Sequence, residues 1–144
     1  MPLQSIRFGY ADKQFIDAIT SAEDAENELE NSKNILRRIK RAYTKRAGQA
    51  LSIAAHIAEC RYPVIVCGDF NDTPNSFAYH TVSENLLDAF KESGSGYAQT
   101  FSAGLPLPRI DYLLHSPDFQ ASEFEIRKVE YSDHYPVSCV LSKK

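Results

Sequence analysis

With 144 residues, 43% of them hydrophobic and 24% charged, the chain has enough apolar material to bury a core as a single domain spanning 1–144. A formal net charge of -3 and a sequence pI of about 5.8 argue against a protein that grips a polyanion with its whole surface. The sequence holds neither a signal-peptide pattern nor an apolar run of membrane length. Cys60, Cys67 and Cys139 are odd in number and widely spaced with no Cys-x-x-Cys, so they are expected to be buried packing residues and fix no compartment.

Residues 3–8 have the pattern of a short strand, and 9–33 read as a polar, acidic loop or a marginal helix. Asn34 to Ala58 is the clearest helix. Ile35, Ile39, Ala42, Tyr43, Ala47, Ala50, Leu51, Ala54 and Ile57 recur at three- and four-residue spacing and predict its buried side, with Gly48 a minor weakness. Tyr62-Pro63 closes the connection, and Val64 to Cys67 is a four-residue apolar run expected to be a buried strand. Strand, helix, strand in this order suggests a crossover unit of an α/β sheet. Asn75 or Ser76 is placed to cap a helix running to about Glu84, and Leu86 to Phe90 packs as a short apolar segment broken by Gly94-Ser-Gly96. Further strands are expected near Gln99 to Phe101, Ile110 to His115, Phe124 to Val129 and Val137 to Leu141.

The chemistry-bearing residues collect at the ends of these strands. The Val64–Cys67 run delivers Gly68, Asp69 and Asn71 onto the turn at its C-terminal end, where α/β sheets place their sites. There Asp69 offers an acceptor for a metal, water or proton, and Asn71 an amide donor for a phosphate oxygen. Taken alone, an Asp and an Asn after a strand are equally ordinary turn formers. A second strand carries Asp111 inside an apolar stretch, where an unpaired carboxylate is costly and demands a partner. His134, flanked by Asp133 and followed by the Val137–Leu141 run, is the natural one. A carboxylate on one imidazole nitrogen would fix its tautomer, raise its pKa and leave the other nitrogen facing a phosphate or leaving group.

Gly-Asp-Phe-Asn at 68–71, Arg-Ile-Asp-Tyr at 109–112 and Ser-Asp-His at 132–134 stand in this order toward the C-terminus. Together they resemble the motifs of the endonuclease/exonuclease/phosphatase superfamily, which includes deoxyribonuclease I, neutral sphingomyelinases and inositol polyphosphate phosphatases. The likeness runs from about Leu3 to Leu141. It implies an α/β fold of the α+β type, a four-layer sandwich of two mainly antiparallel sheets flanked by helices, and a metal-dependent hydrolysis of phosphate esters. By the resemblance, Asp69 activates or orients the attacking water, and Asn71 holds a phosphate oxygen or the water shell of the metal. His134, oriented by Asp111, donates to the scissile phosphate, and Asp133 with Asp69 binds the metal. Arg109 would steady the phosphate, though an ordinary surface arginine is an equal reading. The expected cofactor is Mg2+ or Mn2+, which take carboxylate, amide and water oxygens.

The family's first half carries an Asn and a metal-binding Glu in two further motifs, and neither is found here. The acids of Glu23 to Glu30 have no apolar strand around them, and Leu3-Gln-Ser5 looks like the tail of an Asn-x-His-Leu segment with Pro2 where the histidine would stand. The expectation is therefore the C-terminal portion of the domain, with its first half outside this chain, no activity in isolation, and a bare apolar sheet face prone to self-association. A non-catalytic interaction or assembly module is the alternative.

The substrate stays open between nucleic acid and a phospholipid headgroup, because the superfamily's fold and motifs serve both. Arg37, Arg38, Lys40, Arg41, Lys45 and Arg46 put six cations in ten residues. Such a run could track a nucleic-acid backbone or anionic lipid headgroups, but the stronger expectation is the solvated face of the long helix, without the interleaved aromatics that stack bases. His56, His80 and His115 are expected to pack or lie at the surface. Some similar bacterial proteins begin with transmembrane helices, which allows a membrane-anchored or extracytoplasmic parent and leaves the location of this chain unassigned.

Overall fold

The computed structural model describes residues 25–102 and 109–144, so the strand expected over 3–8 and the crossover it would complete lie outside the described residues. Helix α1 spans Ala25–Glu59. It begins nine residues before the predicted start, inside the segment expected to be a loop or marginal helix. The reason is local: Ala25, Glu26, Glu28, Leu29 and Glu30 are good helix formers. Strand β1 (Ile65–Asp69) follows, then α2 (Phe77–Ser83), β2 (Leu87–Asp88), α3 (Ala89–Ser93), β3 (Asp111–His115), β4 (Phe119–Ile126) and β5 (Val137–Lys143). The Ser76 hydroxyl caps α2 by accepting from Tyr79 N–H at 3.1 Å, and Asp88 caps α3 through Phe90 N–H at 3.0 Å.

The strands form two antiparallel sheets, one in the order β1-β3-β2 and one a β4-β5 hairpin. Helices and antiparallel sheets together make the mixed α/β class expected from the sequence. Two strands differ from expectation. Around 99–101 only an isolated bridge forms, between Phe101 and His134. The strand predicted over 124–129 runs instead over 119–126, because a bulge between Ser122 and Glu125 shifts the register, with Glu123 at φ 54°. The inward residues Phe119 and Ala121 are thereby separated from Phe124 and Ile126 by one extra residue, which breaks the alternation that a sequence pattern can detect.

The core lies between the helices and one face of the first sheet. Ala50, Ile53 and Ile57 of α1 and Ala78, Tyr79 and Val82 of α2 pack with Leu86, Phe70, Val66, Tyr112 and Leu114. The buried side of α1 is rotated from the predicted one: Ala42, Arg46 and Ala50 are buried, whereas Tyr43 and Leu51 are more than half exposed. Arg46, expected on the solvated face with the other cations, turns inward because Asp72 waits there, with 2.5 Å between Nη1 and Oδ2. Arg37, Arg38, Lys40, Arg41 and Lys45 are exposed as expected.

On the first sheet, Ile65, Cys67 and Leu113 alternate with the core residues and point to the opposite face. Ile65 is 48% exposed there. Cys67 is exposed too, as is Cys60, and Cys139 is half-buried, against the expectation of buried thiols; Cys67 faces the side of the sheet away from the core cluster. His56 and His80 are exposed, while His115 is fully buried with its Nε2 2.9 Å from the Glu92 carboxylate. No helix among the described residues is long and apolar enough to cross a membrane.

Candidate active site

Pairing of β1 with β3 does most of the assembly. The strands are antiparallel, so the last residue of β1 meets the first of β3, and Asp69 lies directly opposite Asp111. Two carboxylates so placed repel each other unless a cation or proton donor sits with them. His134 supplies one. Its Nδ1 is 2.9 Å from Asp111 Oδ2, and its Nε2 lies 3.9 Å from Asp69 Oδ2, too far for a hydrogen bond.

The loop carrying His134 is held by backbone contacts to the segment before β3. Tyr135 N–H donates to Thr100 O at 2.7 Å, Ser102 N–H to Asp133 O at 2.8 Å, and the Phe101 ring lies 5.1 Å from the imidazole. Thr100 is fully buried, and its Oγ1 accepts from Ile110 N–H and Asp111 N–H, which ties the same segment to the start of β3. Thr100 and Phe101 were not among the sequence candidates. A threonine inside a predicted strand beside Phe101 was the available signal, but its partners are long-range.

Asn71 completes the local geometry. It adopts φ 50°, the left-handed region that Asn tolerates better than most residues, and this folds it back onto Asp69. Its backbone N–H donates to Asp69 Oδ1 and its side-chain amide to Oδ2, both at 2.7 Å. The turn-forming and the site-forming readings of Asp69 and Asn71 are thus one arrangement: the turn is what aims the carboxylate.

Burial pushes the Asp69 carboxyl above its usual pKa; the Asn71 N–H bond opposes this, and the Asp111 charge adds to it. For His134 burial acts to lower the pKa, but the Asp111 hydrogen bond and the charges of Asp111, Asp69 and Asp133 outweigh it, and the imidazole is raised above its ordinary value. Both shifts are upward: the imidazole favours its protonated, donating form, and the carboxyl takes a proton more readily than a free one.

Two sequence candidates fall elsewhere. The Asp133 carboxylate is exposed and accepts from Ser132 Oγ at 3.1 Å; it acts on His134 through charge, outside the group of close ligand atoms. Arg109 fits neither of its readings. It is 3% exposed, forks onto the Asp88 carboxylate through both Nη atoms, and lies over the rings of Phe90 and Tyr112 at 4.5 and 4.9 Å. Asp88, itself buried and held below the usual carboxylate range by Arg109 and Tyr79 against the effect of burial, takes up the guanidinium entirely. A buried pair across 21 residues leaves no local trace in sequence.

One ligand atom each from Asp69, Asp111 and His134 can be chosen so that all lie within 4.8 Å of one another. Two carboxylates and an imidazole suit a divalent cation that keeps water or phosphate oxygens in its remaining positions. Asp111 and His134 of this cluster border a cleft of about 330 Å³ that Cys67, Leu113, Pro136 and Val137 also line.

The fold is shared with several solved structures. An endonuclease/exonuclease/phosphatase from Bacteroides vulgatus is 30% identical over 71% of this chain and 45% of its own, with a TM-score of 0.61. A mannosyl-6-phosphatase from Bacteroides thetaiotaomicron (22% identity, TM-score 0.57) is matched over 72% of this chain and 46% of its own. A protein of unknown function from Enterococcus faecalis (20% identity, TM-score 0.59) is matched over 71% and 46%. At these identities the last two show the fold alone. The chain spans less than half the length of each. Among proteins with curated functions, none matches. The profile of the Endonuclease/Exonuclease/phosphatase family matches residues 23–134, more than half of the chain, and ends on the histidine that closes the cluster. This chain belongs to the endonuclease/exonuclease/phosphatase family.

Proposed function

We propose that the chain carries one part of a phosphoesterase centre that hydrolyses a phosphodiester or phosphomonoester by in-line attack of water with Mg2+ or Mn2+. The observation that carries this is the junction of Asp69, Asp111 and His134 at one end of β1 and β3, with the imidazole tied to one carboxylate and turned toward the other. A phosphate ester resists anionic attack, so its hydrolysis needs charge neutralisation, an oriented water and a group that stabilises charge on the phosphoryl oxygens. The cation, when bound, supplies the neutralisation. Asp69, aimed by Asn71, accepts a hydrogen bond or proton from the water. Asp111 holds the His134 ring so that Nε2 faces the cleft, ready to donate to phosphate as charge builds. Asn71, once released from Asp69, is placed to donate to a phosphate oxygen.

The parent's activity is the proposal; the isolated chain is expected to be inactive, because the motifs of the family's first half are not found in it. The alternative of a non-catalytic assembly module finds its support in the exposed Ile65 and Cys67 on the sheet face beside the site. Hydrolysis by a polypeptide supplying the whole family domain separates the two. Asp69→Asn or His134→Ala should lower kcat/KM by at least about 100-fold, the usual contribution of a general acid or base. Rates near those of the unsubstituted protein would defeat the phosphoesterase assignment.

A further inference from the structure

We infer that Arg46 is a positioning residue for the Asp69–Asn71 turn, acting from helix α1 through Asp72 and seconded by Tyr112; the inference rests on the phosphoesterase reading of that site. Asn71 is one of two non-glycine residues at positive φ among those described, and its conformation alone brings both of its N–H donors onto Asp69. A left-handed residue reverts unless both flanks are fixed. The flank before it is fixed by Phe70, whose ring is in the core and whose N–H donates to Ile110 O at 2.8 Å.

The flank after it is fixed by Asp72, and here the chemistry is unusual. Asp72 is buried, its Oδ1 accepts from Thr73 N–H at 3.1 Å, and its Oδ2 accepts from Arg46 Nη1 at 2.5 Å. Its carbonyl accepts from the Tyr112 hydroxyl at 2.9 Å, a proton shared with Arg109 O at the same distance. Arg46 is 1% exposed on the side of α1 otherwise formed by Ala42, Ala50, Ile53 and Ile57. An apolar side chain at 46 would serve helix packing at least as well, since a buried ion pair rarely adds stability over well-packed hydrophobic residues. What an apolar residue cannot do is hold the Asp72 carboxylate. The buried cation is therefore read as fixing geometry at the residue next to Asn71.

The test must separate positioning from bulk stability. The double substitution Arg46→Met with Asp72→Asn removes both buried charges together, so no unpaired ion is left in the core. Arg46→Lys keeps a buried cation but removes the guanidinium that reaches Asp72, and it decides the matter if the double variant does not fold. Amide hydrogen exchange is read at Asn71 and, as the core reference, at Leu114. Positioning predicts that Asn71 exchange accelerates at least about tenfold relative to Leu114, with the Asn71 side-chain NH2 resonances shifting toward solvent values. Equal acceleration at both residues, or an unchanged Asn71, overturns the inference. In a polypeptide carrying the whole domain, the same variants should lower kcat with little change in KM. If Asp69→Asn leaves hydrolysis intact there, the phosphoesterase reading fails, while the exchange result still decides whether Arg46 sets the turn.

Discussion

His134 concentrates the electrostatics of the site, and its raised pKa makes a signed prediction. The folded state favours its protonated form, so its contribution to stability is fully present below the ordinary histidine value of about 6.5 and is lost as pH rises through the higher folded value. Without metal, His134→Asn should therefore depress the melting temperature clearly at about pH 6 and little at about pH 9. An equal loss at both pH values would show that the imidazole matters for packing and not for charge. Asp69, Asp111 and His134 were legible in the sequence because each sits in a short motif beside an apolar run, and a carboxylate in such a run must find a partner. Arg109 was not, since its role depends on Asp88 folding beneath it. Arg46 was hidden among six exposed cations on the same helix.

At the level of elements, the register of β1 on β3 sets the distance between the two carboxylates, and the α3 segment locks that register from behind. The Arg109–Asp88 fork joins the chain two residues before β3 to the N-cap of α3, with Tyr79 of α2 donating to the same carboxylate at 2.6 Å. Removing one partner strands a buried charge. Arg109→Leu is expected to destabilise the fold by about 3–5 kcal/mol, measured by urea unfolding. A loss below about 1 kcal/mol would place Arg109 with exposed ion pairs instead. The presence of β1, β3, β5, α1 and α2 could be read from period and capping, because apolar spacing and the Ser76 cap are local signals. The start of β4 could not, because its bulge breaks the alternation. The buried side of α1 was misjudged by the width of one stripe: Tyr43 and Leu51 share helical spacing with the core residues, and only the position of the sheet decides which stripe is covered.

Across the molecule, the site lies at the rim of the sheet face opposite the core cluster, where Ile65 and Cys67 are exposed, and the chain spans 45–46% of the length of the solved relatives. We propose that this face, with Ile65, Cys67 and Leu113, drives self-association of the isolated chain. Sedimentation velocity across a concentration series should show a mass above that of one 16.2 kDa chain, and Leu113→Lys should reverse it. A stable monomer at every concentration would count against the proposal. The central claim is that Asp69, Asp111 and His134 form one centre that draws a divalent cation. Titration of the labelled chain with Mn2+, followed by nuclear magnetic resonance, tests it most directly. Paramagnetic broadening should centre on residues 69–71, 111 and 134 and should disappear in Asp69→Asn, whereas broadening spread over the exposed acids, or unaffected by that substitution, would contradict it.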